Sequence, residues 1–132
     1  VKFNTVAFVL PLTLTHRGPP IMPDSDTAEN ARLVHTVYFT LHEPTPENTQ
    51  QLLDACQHFL TDHPGTDYFA VGTRVEDLQR PVNDNQYHVS LHVHFADRAS
   101  HDQYQQDPRH LQFIEDNKAN WAQVRVFDSY LA

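Results

Sequence analysis

The chain has 132 residues, of which 39% are hydrophobic and 20% are charged, so it can bury the core of one ordinary domain. Its formal net charge of −8 at pH 7 argues against nucleic acid as a partner, because phosphates repel an acidic surface. No apolar run approaches the roughly 20 residues of a transmembrane helix, so we expect no membrane partner either.

Residues 1–30 differ in character from the rest of the chain. The segment Thr5–Leu14 can form a strand, but Pro11 confines it to a sheet edge or a kinked position. Proline-rich stretches between residues 16 and 26 are typical of an extended linker. One early lysine and the lack of a small-residue cleavage motif predict no secretory signal. We therefore expect an arm over residues 1–30 that packs on a partner subunit, followed by one domain over residues 31–132.

The first strand of the domain is predicted over Val34–Leu41, which is rich in β-branched and aromatic residues. Because side chains alternate along a strand, two sets of residues face opposite sides of the sheet. One set contains His35, Val37, Phe39 and Leu41, and the other contains Val34, Thr36, Tyr38 and Thr40.

A helix should follow this strand. Thr45-Pro46 begins it, with a hydroxyl at the N-cap and proline at the first helical position, and His63-Pro64-Gly65 ends it. Apolar residues recur at three- and four-residue steps and predict a buried stripe of Leu52, Leu53, Cys56, Phe59 and Leu60. Cys56 is the single cysteine of the chain, which excludes an internal disulfide. We expect its thiol to be buried and unreactive, and a reducing, cytoplasmic location fits this cysteine content.

Two further strands are predicted on either side of a polar loop. They run over Tyr68–Val75 and Tyr87–Phe95, and the loop runs over Gln79–Gln86. The second of these strands alternates clearly between two faces. Its apolar face, which should cover the helices, contains Val89, Leu91, Val93 and Phe95, and its other face contains His88, Ser90, His92 and His94.

The last third of the domain repeats the order helix then strand. Asp97 is a plausible cap for a short helix through Tyr104, and Asp107-Pro108 repeats the cap-then-proline pattern for another helix. The buried face of that helix is predicted to contain Leu111, Ile114 and Phe113. Gln123–Leu131 is the fourth strand. The order predicts an α+β domain, a ferredoxin-like split βαβ with a four-stranded antiparallel sheet.

Helices cover only one face of such a sheet, so the other face needs a different cover. That face carries Val34, Thr36, Tyr38 and Thr40 beside the row Ser90, His92 and His94. It is too apolar to be comfortably solvated and too polar for a dry core. We expect two copies to pack these faces together around a twofold axis, forming a dimeric α/β barrel. A monomer with one wet face is the alternative.

Several segments match a known pattern. Val34–Phe39 opens the domain, and Tyr104–Phe113 lies between a strand that ends in Phe95 and a strand that contains Val126-Phe127-Asp128. From about Leu33 to Leu131 the chain resembles the stress-responsive α/β-barrel domain (Dabb) family, within the dimeric α/β-barrel superfamily. That family usually has tyrosine, two residues, His-Pro, one residue and histidine, whereas Asp107 replaces the first histidine here. The resemblance implies a homodimer, and most members have no established activity.

Plant olivetolic acid cyclases are one member class with an assigned reaction, an aldol-type ring closure in a cavity between sheet and helices. The resemblance implies His35, Tyr104 and His110 as the corresponding site residues. Such chemistry needs a base, which His110 would supply, and a donor to the enolate oxygen, which Tyr104 would supply, with His35 orienting or polarising. Tyr104 and the histidines are equally compatible with satisfied core positions. Haem-degrading and quinone-forming monooxygenases share the superfamily fold, but the Tyr104–His110 segment is the specific signature.

Three functions therefore stay open at this stage. The first is a homodimer that binds a small apolar or aromatic carbonyl ligand between sheet and helices, and no cofactor is expected. The second is an acid–base cyclase or isomerase, and the third is a purely structural or stress-protective dimer.

His92 and His94 form a separate pair, which faces the same way on one strand with Cα atoms about 6.5–7 Å apart. That spacing can chelate a metal, but two histidines without a nearby carboxylate or cysteine make a weak site, so we expect none. The alternative is that neutral imidazoles fill a wet space between subunits, in which case acid should charge them and loosen the dimer.

Overall fold

The computed structural model describes residues 30–132, so the predicted strand over Thr5–Leu14 and the arm over residues 1–30, apart from its last residue, lie outside the described residues. From Leu33 onward the elements are β1 (Leu33–Leu41), α1 (Pro46–Phe59), β2 (Thr66–Thr73), β3 (Val89–Phe95), α2 (Arg98–Gln106), α3 (Pro108–Asn117), a 3-10 turn (Lys118–Asn120) and β4 (Trp121–Tyr130). The strand order is β2-β3-β1-β4, and each neighbouring pair is antiparallel. The predicted ferredoxin-like α+β fold is confirmed.

Side-chain caps explain where the three helices begin. The Thr45 hydroxyl accepts a hydrogen bond from the Asn48 amide at 3.1 Å, before Pro46 at the start of α1. Asp97 accepts from the Ser100 amide at 2.8 Å at the start of α2. Asp107 accepts from the Arg109 amide at 2.8 Å, before Pro108 at the start of α3. Each cap satisfies an amide that would otherwise lack an intrahelical partner, so the predicted starts agree with the structure.

The turn before β2 depends on Gly65. Its φ is +80°, in the left-handed region that favours glycine. A Cβ at this position would also overlap the Ser100 side chain on α2. Gly65 therefore permits both the turn and the close approach of α2 to that turn.

The core lies between one side of the sheet and the helices. The buried apolar side chains are Leu33, Val37, Phe39, Leu41, Leu52, Cys56, Leu60, Val89, Leu91, Val93, Phe95, Tyr104 and Phe113. The helix-facing sets predicted for β1 and β3 are thereby confirmed. Leu53 and Phe59, which were also predicted to be buried, are half-buried at the margin of the core. We call this covered side of the sheet the helix-facing side.

The prediction of the buried face of α3 was partly wrong. Leu111 is 52% exposed, Ile114 is half-buried, and the buried residues of α3 are His110 and Phe113. The docking of α3 on the sheet covers the face that carries His110 and Phe113. Residues three apart then share the covered face, and Leu111 lies about 100° further round the helix than His110.

The strand boundaries also differ from those predicted. β2 runs over Thr66–Thr73, and β4 begins at Trp121. β3 begins at Val89, because His88 continues the contact with β1 through its side chain. Its backbone amide donates to the Phe39 carbonyl at 2.8 Å, while its ring Nδ1 accepts from the Leu41 amide at 3.0 Å. A hydrogen bond to the His88 side chain thus replaces the regular backbone hydrogen bond between the two strands at this point.

The opposite side of the sheet, which we call the outer side, carries the second set of alternating residues. Tyr38 lies at its centre, with ring centroids 4.8 Å from Tyr87, 6.3 Å from His92 and 5.9 Å from Phe127. Phe127 is 52% exposed there. In the described part of the chain, none of the helices combines the length and hydropathy that crossing a bilayer requires.

Candidate functional site

A cavity of about 340 Å³ lies between the helix-facing side of the sheet and helices α2 and α3. His35, Tyr104 and His110, the three site residues named from the sequence, all line it. Most of the remaining wall is apolar and is provided by Val37, Phe39, Leu60, Leu91, Phe113, Ile114, Trp121, Val124 and Val126. An apolar cavity with a few convergent polar groups is the usual form of a small-molecule site.

Tyr104 of α2 lies between the three buried histidines of this region. Its ring centroid lies 4.6 Å from that of His110, 5.0 Å from that of His63 and 5.9 Å from that of His35. The residue is 1% exposed, and its Oη has no hydrogen-bond partner among residues 30–132. Burial raises the pKa of Tyr104 above its usual range. The hydroxyl is therefore a protonated donor at neutral pH.

His110 is buried on the first turn of α3, beside Tyr104. Burial lowers its pKa, and the nearby Gln105 backbone carbonyl offsets part of that effect. Its Nδ1 forms no hydrogen bond within the described chain. The ring is therefore mostly neutral at pH 7, and one of its nitrogens is buried without a partner in the described residues.

His35 is held by a residue far away in sequence. The register of β1 and β4 places Asp128 directly opposite His35, and His35 Nδ1 lies 2.6 Å from Asp128 Oδ1. Burial lowers the pKa of His35, and the Asp128 carboxylate opposes this shift. The His101 ring, 5.4 Å away, adds to the lowering. The pair fixes the orientation of the imidazole at the cavity wall.

Asp128 and His101 also line the cavity, although no sequence pattern indicated a role for either residue. Asp128 appeared in the fourth strand, and its alternation with Val124 and Val126 would have placed it on the helix-facing side. His101 precedes Tyr104 by three residues, which puts both on one face of α2. The ligating atoms of His35, His101 and Asp128 all lie within 4.8 Å of one another, so this group is the candidate for holding a metal ion.

Asp107, which departs from the family pattern, has a structural role. It caps α3, and its other carboxylate oxygen lies 3.8 Å from His63 Nδ1. His63 is buried against Tyr104 and uses Nε2 to contact the Phe59 carbonyl at 2.8 Å. A further histidine, just beyond the end of α1, thus contacts the tyrosine, and no sequence pattern predicted this contact.

His92 and His94 do not join the cavity, because they lie on the outer side of β3. His92 Nε2 is 3.1 Å from the Ser90 hydroxyl, and His94 packs on Tyr68 with ring centroids 4.8 Å apart. Burial lowers the pKa of His92, and His94 adds to this. Metal binding by this pair remains a weak prediction.

Cys56 lies in the core with no exposed surface, and burial raises its thiol pKa to about 12. A thiol in this environment is not a nucleophile at neutral pH. The prediction that it is buried is confirmed.

The fold and cavity define a class, the ferredoxin-like α+β domains that enclose a pocket between one sheet and its helices. Within that class, the family model described as "Stress responsive A/B Barrel Domain" (Dabb) matches residues 33–131. The chain belongs to this family. No curated protein matches it significantly.

Solved structures show the same fold. A Dabb family protein from Mesorhizobium loti with a ferredoxin-like fold is 24% identical, with a TM-score of 0.64 over 77% of this chain and 98% of that one. A dimeric ferredoxin-like protein of unknown function from Thermobifida fusca is 15% identical, with a TM-score of 0.66 over 78% and 93%. The hydroxynitrile lyase of Passiflora edulis is 15% identical, with a TM-score of 0.64 over 78% and 95%. At these identities the likeness concerns the fold alone.

Proposed function

We propose that this protein is a homodimer that binds a small apolar or aromatic carbonyl compound in the cavity between sheet and helices. The observation that carries the proposal is the pair Tyr104 Oη and His110 Nδ1, two buried polar atoms that residues 30–132 leave without partners, on two residues that line an apolar cavity. Leaving a buried polar group unsatisfied costs about 1–3 kcal/mol. A ligand that bonds to both atoms would remove that cost.

The cavity chemistry favours this ligand class. The Tyr104 hydroxyl is a neutral donor, so it suits a carbonyl oxygen better than a cation. The walls that surround it, such as Val37, Phe39 and Leu91, suit an apolar or aromatic body. A volume of about 340 Å³ lies at the lower end of the usual range for ligand pockets, which selects small compounds.

Acid–base catalysis on such a compound is the second candidate function. It is favoured by the 2.6 Å contact between His35 and Asp128, which orients a buried imidazole next to Tyr104. In an aldol-type closure, His110 would accept the α-proton of the substrate, and the Tyr104 hydroxyl would donate to the enolate oxygen that forms. The enolate carbon would then attack a second carbonyl of the same molecule, and the protonated His110 would return its proton to the alkoxide that forms. A purely structural or stress-protective dimer is the third alternative.

The homodimer part of the proposal rests on the outer side of the sheet. Tyr38, Phe127 and Tyr68 place aromatic surface there, and Phe127 and Tyr68 are exposed in the single chain. An aromatic patch of this kind commonly marks an interface. Two copies that pack this side together would close a barrel. We also retain a cytoplasmic location as part of the proposal, because a single buried thiol suits a reducing compartment.

A ligand screen by thermal shift tests the proposal. Small aromatic and aliphatic carbonyl compounds would be screened against the wild type, His110→Ala and, as a matched control, His42→Ala, which removes an exposed histidine. A ligand at about 100 times its Kd stabilises the folded state by about 2.7 kcal/mol. We expect a compound that raises the Tm of the wild type and of His42→Ala, but not that of His110→Ala. A screen without hits would favour the structural alternative, and hits that persist in His110→Ala would contradict binding at His110 in this cavity.

A further inference from the structure

Three side chains with metal-ligating atoms meet at one end of the cavity wall, and they come from three separate elements. His35 lies on β1, His101 on α2 and Asp128 on β4. Their ligating atoms all lie within 4.8 Å of one another. The β1–β4 register brings Asp128 to His35, and the close approach of α2 brings the His101 ring to 5.4 Å from the His35 ring.

His101 is already oriented as metal-ligating histidines usually are. Its Nδ1 lies 2.9 Å from the Asp102 carboxylate, which accepts the Nδ1 proton. Its Nε2 therefore keeps a lone pair, and the Gln105 side-chain amide donates to it at 3.3 Å. A carboxylate that holds the far nitrogen of a histidine is the arrangement typical of metal-ligating imidazoles. A cation at Nε2 would take the place of the weak amide bond.

The distances allow an ion to enter with small movements. Ligands about 2.0–2.2 Å from a tetrahedral ion lie about 3.3 Å from one another, so the 2.6 Å contact between His35 and Asp128 must open by less than about 1 Å. The widest separation, up to 4.8 Å, must close by about 1.5 Å. His35 is buried and fixed, but the Asp128 side chain is 43% exposed and that of His101 is 14% exposed. Rotation of those two side chains can supply the movement.

We infer that His35, His101 and Asp128 form a binding site for a divalent transition-metal ion of the zinc type. Two imidazoles and one carboxylate suit such ions, whereas Mg²⁺ and Ca²⁺ prefer oxygen ligands alone. Three protein ligands leave at least one coordination position open. All three residues line the cavity, so that position would face it. The inference goes beyond the proposed function, because an ion can bind whether or not an organic ligand does.

Titration of the metal-stripped full chain with Zn²⁺ by calorimetry tests this site. We expect one ion per chain with a Kd in the micromolar range or tighter. His101→Gln and Asp128→Asn should each weaken binding at least about tenfold. His92→Gln is the matched control, because it removes a histidine from the outer side of the sheet and should leave the affinity unchanged. Co²⁺ should also give visible absorption bands in the wild type that His101→Gln lacks.

Equal affinity in the wild type and in folded His101→Gln would overturn the inference, and so would the absence of binding up to millimolar Zn²⁺. Loss of binding in His92→Gln would move the ion to the outer side and also overturn it. Circular dichroism checks that each variant is folded. If Asp128→Asn unfolds, the affinity of His101→Gln tests the site by itself, because His101 lies on a helix at the edge of the core. If the chain binds Zn²⁺ but the screen finds no carbonyl ligand, that result would support this metal site and would count only against the proposed function.

Discussion

The two sides of the sheet hold polar residues in opposite surroundings. On the helix-facing side, His35, Tyr104 and His110 are buried beneath the helices of the same chain. On the outer side, His92 is half-buried and Phe127 is exposed, because the helices of residues 30–132 all pack on the other side. One chain is therefore sufficient to build the cavity, whereas the outer side lacks a cover. The comparison separates the part of the molecule that concerns ligands from the part that concerns association.

The largest expected effect is on the outer side. Phe127→Glu would bury an unpaired carboxylate from each copy in the proposed interface, and an unpaired buried charge costs about 3–5 kcal/mol. We expect at least a hundredfold weaker association, with sedimentation giving the mass of a single 15.2 kDa chain where the wild type gives twice that mass.

Leu111→Glu provides a matched control for this change. Leu111 and Phe127 are equally exposed, at 52%, but Leu111 lies on α3, away from the outer side. The control should sediment as the wild type does. A wild-type protein that already sediments as a single chain would contradict the dimer, as would an unchanged mass for Phe127→Glu.

Acid should affect the two sides through different histidines. Burial lowers the pKa of His110 and of His92 from the ordinary value of 6.5. Around His110, His35 and His63 lower the pKa further, whereas Asp107 raises it. Because the unfolded chain takes up protons first, the free energy of unfolding should be constant above about pH 7.5 and fall as the pH drops through 6.5.

Urea unfolding at fixed protein concentration and sedimentation, each at pH 7.5, 6.5 and 5.5, would measure these dependences. His110→Gln should reduce the pH dependence of the unfolding free energy, and His92→Gln should reduce the dissociation of the dimer by acid. An association constant that does not change between pH 7.5 and 5.5 would count against a histidine-lined interface.

The smallest expected effect concerns the Tyr104 hydroxyl. Tyr104→Phe removes a buried polar atom that, in the described residues, has no partner, so the free energy of unfolding should rise by up to about 1 kcal/mol. Carbonyl ligands found in the screen should bind this variant more weakly. Tyr38→Phe on the outer side is the control and should change stability by less than about 0.5 kcal/mol. Destabilisation of Tyr104→Phe by more than 1 kcal/mol would show that the hydroxyl has a partner in solution.

Much of the fold could be predicted from the sequence, because its signals are local. Thr45, Asp97 and Asp107 mark helix starts through bonds to amides two or three residues away. Alternation along β1 and β3 assigned the two sides of the sheet correctly, since a strand has a period of two. Local signals were weaker for α3, where Leu111 and His110 are neighbours in sequence and only the docking of the helix determined which one is buried.

The amino-acid sequence by itself determined the order of elements, the faces of the strands and the family pattern that includes Tyr104 and His110. The tertiary structure alone decided that His35 meets Asp128, because the two are 93 residues apart and only the β1–β4 register makes them neighbours. It also decided that His101 joins them and that Tyr104 and His110 line one cavity with them. Sequence spacing specifies contacts along one element, whereas contacts between elements depend on how the sheet and the helices pack together.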